Sequence, residues 1–139
     1  MVWAMTEHLA TLRLAIDTGM LVLFWLVQLV IYPAFAVIED ESFKSWHHHY
    51  MYTISIIVVP LISAQAICTT LATVSAPNMA NIICVLAMLV AWVVTFTVSV
   101  PCHHRLQEHG NRPDLVRRIV QSNWIRTAAW SIVFGAALG

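Results

Sequence analysis

Between Lys44 and Arg105 the chain carries no Asp, Glu, Lys or Arg. The uncharged run from Ser45 to His104 spans 60 residues. A bilayer core about 30 Å thick takes about 20 apolar residues per helix, so this run is too long for one crossing and the right length for two. The break is visible at Ser75-Ala76-Pro77-Asn78, because turn-forming residues cluster there and Pro77 cannot continue a helix. In lipid every backbone N–H and C=O must be satisfied internally, which leaves helices and closed barrels as the spanning solutions. The period-two alternation of a barrel strand is absent, so the run predicts two helices.

Two further apolar segments flank it. Thr18 to Ile38 holds 21 residues without a charge, and another segment runs from about Val116 to Leu138. The pattern predicts helices over about 10–37, 48–74, 79–101 and 115–138. The expected fold is all-α: one domain, 1–139, forming a polytopic transmembrane four-helix bundle with antiparallel up-down order. Composition agrees, since only 10% of the residues are charged and 60% are hydrophobic, against about 25% charged in an ordinary soluble domain. A net charge of zero gives no footprint for nucleic acid. Cys68, Cys84 and Cys102 are odd in number and lack metal-finger spacing, so no disulfide framework is expected. Ala34-Phe35-Ala36 with Arg13 upstream has the look of a signal-peptide cleavage site. The apolar stretch is long for that purpose, and Glu7 and Asp17 are unusual within it, so the segment reads as a retained span.

Orientation follows from the basic residues. Lys44 lies in the first connection, and Arg105, Arg112, Arg117 and Arg118 lie around the third, against Arg13 alone on the other side. This predicts cytoplasmic 1–2 and 3–4 connections, extracytoplasmic termini, and residence in a bacterial inner membrane.

The second predicted helix opens at Trp46-His47-His48-His49-Tyr50 and the third closes at Pro101-Cys102-His103-His104. A tight turn at Pro77 makes those helices neighbours, so the two histidine groups should meet at one membrane face. Interfacial histidines explain this without function, since imidazole suits a helix C-terminus. The sharper reading is a site in which His47, His49, His103 and His104 ligate a transition metal, because neutral imidazole is a common ligand for zinc, copper, iron and nickel. Glu39, Asp40, Glu41, Cys102, Glu108 and His109 stand on the same face. His47 and Met51 share a helical face with Ile54, Val58, Leu61 and Gln65, which aims His47 inward and adds Trp46, Tyr50 and Gln65 to the expected pocket.

The fourth segment carries Gln121-Ser122-Asn123-Trp124-Ile125-Arg126-Thr127. Counted from Arg117 at 1.5 Å per residue, Arg126 lies about 13 Å deep. An arginine at mid-bilayer costs at least about 2.5–3.5 kcal/mol on insertion scales and normally faces the bundle interior. Asp17 is the expected partner, as an Asp17–Arg126 pair; the alternative is an i,i+4 pair of Asp17 with Arg13 near the surface. Gln28, Gln65, Thr95, Thr97 and Asn123 are expected to converge in the interior. Gln28 and the threonines read first as polar glue between helices, worth about 0.6 kcal/mol each, while for Asn123 and Arg126, one turn apart, a functional role stands level with that reading. Tyr32-Pro33 and Pro60 are expected to bend or end their helices.

Taken together, Tyr32-Pro33, Phe43 with Trp46-His47 and Tyr50, Pro60, Gln65, Pro101-x-His103 with Leu106, and Asn123-Trp124-Ile125-Arg126-Thr127 with Trp130 resemble a group of small bacterial four-helix membrane proteins of unknown function. Within it, the Pro-x-His/Asn-x-x-Leu element followed by Asn-x-x-Arg is similar to the anthrone-oxygenase-like family. The resemblance implies a four-helix bundle and oxidation of an aromatic polyketide-like substrate without a bound cofactor. It carries over Pro101, His103, Asn123, Trp124 and Arg126 as site residues. Position 103 is more often Asn than His in those oxygenases, and this departure puts transfer of the chemistry in doubt.

Three function classes follow. In the first, a membrane-embedded site acts on a small lipophilic substrate, metal-binding or oxidoreductase-like, with His103, Asn123 and Arg126 as its catalytic residues. Imidazole would move a proton and Arg126 would stabilise an enolate-like anion. The second is a non-catalytic small subunit or assembly factor of a larger membrane complex. The third is a transporter, which with four short helices would need a homo-oligomer, and no inverted repeat is visible. Membrane lipid is the partner common to all three.

Overall fold

The computed structural model describes residues Val2–Leu138, with side chains from Glu7 onward. Among them there is no strand, and the chain forms four long helices. Helix α1 starts as a regular helix over Val2–Leu26, widens into a π turn at Val27–Ile31, and closes through Tyr32–Ala34 and a 3-10 turn at Phe35–Val37. Helix α2 is Asp40–Ser75. Helix α3 comprises Met79–Val94, a second π turn at Thr95–Ser99, and Val100–His109. Helix α4 is Pro113–Ala137. Three stretches are long and apolar enough to cross a membrane: Glu7–Val37, Asp40–Ser75 and Met79–His109. Helix α4 is not among them; the polar residues Gln121, Ser122, Asn123 and Arg126 interrupt its apolar run.

The ends of these helices have local causes, and several correct the expected boundaries. Helix α2 starts at Asp40 rather than 48, because extended Glu39 breaks the chain and Asp40 and Glu41 in the first turn complement the helix dipole. The Asn78 side chain accepts from Asn81 N–H at 2.9 Å and caps α3. Asn81 in turn donates to the carbonyls of Ala76 (2.8 Å) and Ala72 (3.3 Å), locking the 76–78 turn. Helix α3 does not stop at Pro101 but continues to His109, ending at Gly110 with φ +81°, a conformation suited to glycine. Pro113 occupies the first turn of α4, where its missing N–H costs nothing. Helix α2 continues past Pro60 rather than ending there.

Pro33 and Pro101 each follow a five-residue π turn by one residue. A proline inside a helix loses one hydrogen bond and collides with the carbonyl four residues back. A widened turn just upstream relieves that collision, so both helices continue past a residue expected to end them.

Helix α4 packs most extensively against α3 and α1. One core cluster unites Met20, Phe24, Met88 and Trp130 with the small residues Ala87, Ala91 and Ala129, which permit close helix approach. A second, nearer the connections, unites Val27, Tyr32, Phe35, Phe43, Leu106 and Ile119. The outer faces stay apolar: Leu29, Val30, Ile56, Ile67, Leu86, Val93, Ile125 and Ile132 are all exposed. So extensive an apolar exterior marks a surface built for an apolar environment.

Candidate functional site

The two histidine groups lie side by side. His47 Nε2 is 3.0 Å from His103 Nδ1, with both rings buried and stacked at 5.3 Å between centroids. His103 Nε2 is 3.2 Å from the hydroxyl of Tyr32. The other ring nitrogen of His47, Nδ1, meets Gln107 Oε1 at 2.9 Å. Gln107 Nε2 donates to the carbonyl of Lys44 at 3.2 Å. Phe35, fully buried, stands edge-on to His47 and Tyr50 and close to His103, and Phe43 stacks on His47. Aromatic walls hold both imidazoles in place.

Arg126 reaches the same point from α4. Its Nη1 donates to Ser99 Oγ at 3.0 Å and to the Tyr32 hydroxyl at 3.5 Å. Its guanidinium lies 4.6 Å from the centre of the Phe24 ring, a cation–π contact. The buried Nε has no partner, and among the described residues no carboxylate pairs with Arg126. The π turns position both oxygens that touch it: Ser99 closes the turn in α3, and Tyr32 follows the turn in α1. A cavity of about 230 Å³ opens beside Arg126, Tyr32, Ser99 and His103, with Phe24 and Tyr50 among its other walls. A second cavity, about 180 Å³, adjoins His47, His48, His103, His104 and Gln107. His103 borders both.

Several expected site residues stand elsewhere. Asp17 pairs with Arg13, one turn away at 3.5 Å, and not with Arg126. That alternative was expected near the surface, yet both residues are buried, and Arg13 also donates to Asn81 Oδ1 (2.6 Å) and Cys84 Sγ (3.0 Å). The i,i+4 spacing fixes this pair locally beside Cys84, whereas Arg126 reaches Ser99, about four turns further along α3. Gln65 is fully buried but belongs to the Asp17 cluster, donating to Thr69 at 3.0 Å. Asn123 donates to Gln28 Oε1 at 2.9 Å, a bond between α4 and α1, and does not line the cavity beside Arg126. Trp124 is exposed and meets Trp25 edge-on, so it faces outward. Pro101 is exposed, follows the π turn of α3 and lines neither cavity. Trp46 stacks on Tyr50 at an interplanar angle of 2° and lines an outer groove with His49.

The four-imidazole metal site does not assemble. His49 turns to that outer groove, and His104 is exposed. His47 and His103 have all four ring nitrogens committed to each other, Gln107 and Tyr32. Among the described residues no three His, Cys, Asp or Glu side chains are grouped to hold a metal ion. Sequence reasoning placed Tyr32 in the helix bend and did not single out Ser99, Phe24 or Gln107. Tyr32 and Ser99 depend on π turns, which shift the face a residue presents and leave no mark in hydrophobic periodicity. The three cysteines are free and buried.

No known protein family, characterised protein or solved structure matches the chain.

Proposed function

We propose that this is an integral membrane protein whose interior binds a lipophilic molecule bearing an acidic oxygen, and that Arg126 holds that oxygen as an anion while His103 receives its proton. Arg126 carries the reading. A buried guanidinium with neutral partners only, beside a cavity, is costly unless something supplies the missing negative charge. The apolar lining selects a lipophilic body, and the Arg126–Tyr32–Ser99–His103 edge selects an oxygen. A phenol or enolisable ketone fits both demands. Stabilising the anion lowers the barrier to its formation, as an oxyanion hole does, and His103, at hydrogen-bond distance from the Tyr32 hydroxyl, suits the proton passed on by Tyr32.

The anion of such a molecule is its electron-rich form, the one an oxidant attacks. The resemblance to anthrone-oxygenase-like proteins extends the proposal to oxidation of an aromatic polyketide-like substrate. In the membrane the chain forms an antiparallel up-down bundle, with all four helices crossing and both termini outside the cytoplasm. Supporting that orientation, Arg13 is buried against Asp17, whereas Lys44, Arg105, Arg112, Arg117 and Arg118 are exposed around the 1–2 and 3–4 connections. The host is a bacterial inner membrane, and its lipid is the partner of the apolar exterior.

Purified protein titrated with an alkyl nitrophenol tests the reading, because the phenolate is coloured and the neutral phenol is not. Binding with appearance of the phenolate band, lost in Arg126→Gln, is the expected result. Equal phenolate formation in the variant would refute it.

A further inference from the structure

The hydrogen bonds around the two histidines have only one consistent direction. The Lys44 carbonyl can only accept, so Gln107 turns its NH₂ toward it and its Oε1 toward His47. His47 must then carry its proton on Nδ1, which leaves Nε2 bare to accept from His103 Nδ1–H. His103 Nε2 is in turn bare and accepts the Tyr32 O–H. The opposite end is compatible with this order, since Arg126 can only donate and occupies a lone pair of the Tyr32 oxygen at 3.5 Å, leaving its O–H free to point at His103. Every donor in the series therefore points from the ligand cavity toward the second cavity.

We propose that Tyr32, His103 and His47, oriented by Gln107, form a one-way proton relay from the ligand cavity to the histidine-lined cavity. The inference rests on the binding reading above and assigns the route by which that site disposes of its proton. The ligand O–H bond breaks toward the Tyr32 oxygen, and the Tyr32 proton moves to His103 Nε2. The His103 Nδ1 proton then moves to His47 Nε2. The products are a ligand anion at Arg126 and an imidazolium at His47, two rings away. Gln107 Oε1 accepts from the Nδ1–H of that imidazolium and so stabilises it. From Nδ1 the proton passes to water in the second cavity, beside exposed His48 and His104. Both rings are then left protonated on Nε2, and each returns to its starting tautomer by releasing that proton to water and taking another at Nδ1. The device separates charge: a proton left on His103 would stay in contact with the anion and recombine.

The assignment has a test that needs no ligand. Nitrogen-15 chemical shifts of labelled imidazoles in the detergent-solubilised protein should show the Nδ1–H tautomer for both His47 and His103. An Nε2–H tautomer on either ring breaks the series and overturns the proposal.

The functional test compares two probes. A long-chain alkyl sulfonate, permanently ionised, reports the anion site alone, and an alkyl nitrophenol followed by stopped flow reports proton removal. His47 does not line the ligand cavity. His47→Gln is therefore expected to change sulfonate affinity less than about threefold while slowing phenolate formation at least about tenfold, at the low end of general-base effects. Gln107→Leu should slow it by a smaller factor. Sulfonate binding retained with an unchanged rate in His47→Gln would overturn the relay and spare the site. Failure of the wild type to bind sulfonate would overturn both.

Discussion

At the residue scale the structure turns on how two arginines in a low-dielectric interior are treated. Arg13 has an acid, an amide and a thiol; Arg126 has a serine, a phenol and an aromatic face. Their responses to mutation should therefore be opposite. Asp17→Asn leaves Arg13 charged and buried, a loss of about 3–5 kcal/mol by analogy with broken buried pairs. The double variant Arg13→Met, Asp17→Leu should recover most of it, which thermal unfolding in detergent would show. If the double variant is as unstable as Asp17→Asn, the pair is not what holds that end. Arg126→Met removes a charge that has no counter-charge, so stability should stay within about 1 kcal/mol of wild type or rise. A drop of several kcal/mol would mean that Arg126 is structural. The sequence made Arg126 conspicuous because an arginine at that depth is rare. It did not reveal the partners, because Asp17 sits with Arg13 beside Cys84 while Arg126 reaches Ser99, about four turns further along α3.

At the scale of elements, the paired π turns explain why the site exists where it does. Each adds a residue to one turn ahead of Pro33 or Pro101, and each delivers an oxygen, from Tyr32 or Ser99, to Arg126. Pro101→Ala removes the reason for the turn in α3. Because Pro101 is exposed, the expected outcome is a melting temperature close to wild type with sulfonate affinity reduced about fivefold or more. Unchanged affinity would mean that packing, not the proline, holds the turn. This is also where the sequence misled. Prolines read as helix ends, so α3 was expected to stop at 101 and the histidines to sit at a terminus. Acids at 39–41 read as a loop although two of them open α2. The meeting of His47 with His103 was legible, because two helices joined by a short turn at Pro77 leave the start of one beside the end of the other. The face carrying His47, Met51, Ile54, Val58, Leu61 and Gln65 was legible too, and each of these is buried or half-buried.

For the whole molecule, the apolar exterior and the buried polar interior invert the pattern of a protein dissolved in water. Three helices meet the length and composition needed to cross a bilayer, and α4, more polar, is wrapped by α1 and α3 with Asn123, Arg126 and Thr127 turned inward. That arrangement would let α4 carry charge in the proposed fourth crossing. The proposed topology predicts opposite labelling of two exposed positions: Arg112→Cys should react with an impermeant maleimide only from the cytoplasmic side, and Ser75→Cys only from the other. Reaction of both from one side would exclude an up-down bundle with those connections. The natural cysteines are buried and should stay silent.

The central claim is that Arg126 is a binding charge awaiting an anion. Equilibrium titration of the purified protein with a long-chain alkyl sulfonate, in parallel with Arg126→Gln, tests it most directly. Saturable one-to-one binding by the wild type, weakened at least about tenfold in the variant, is the predicted result. Equal affinity in the two proteins, or none in the wild type, would contradict it.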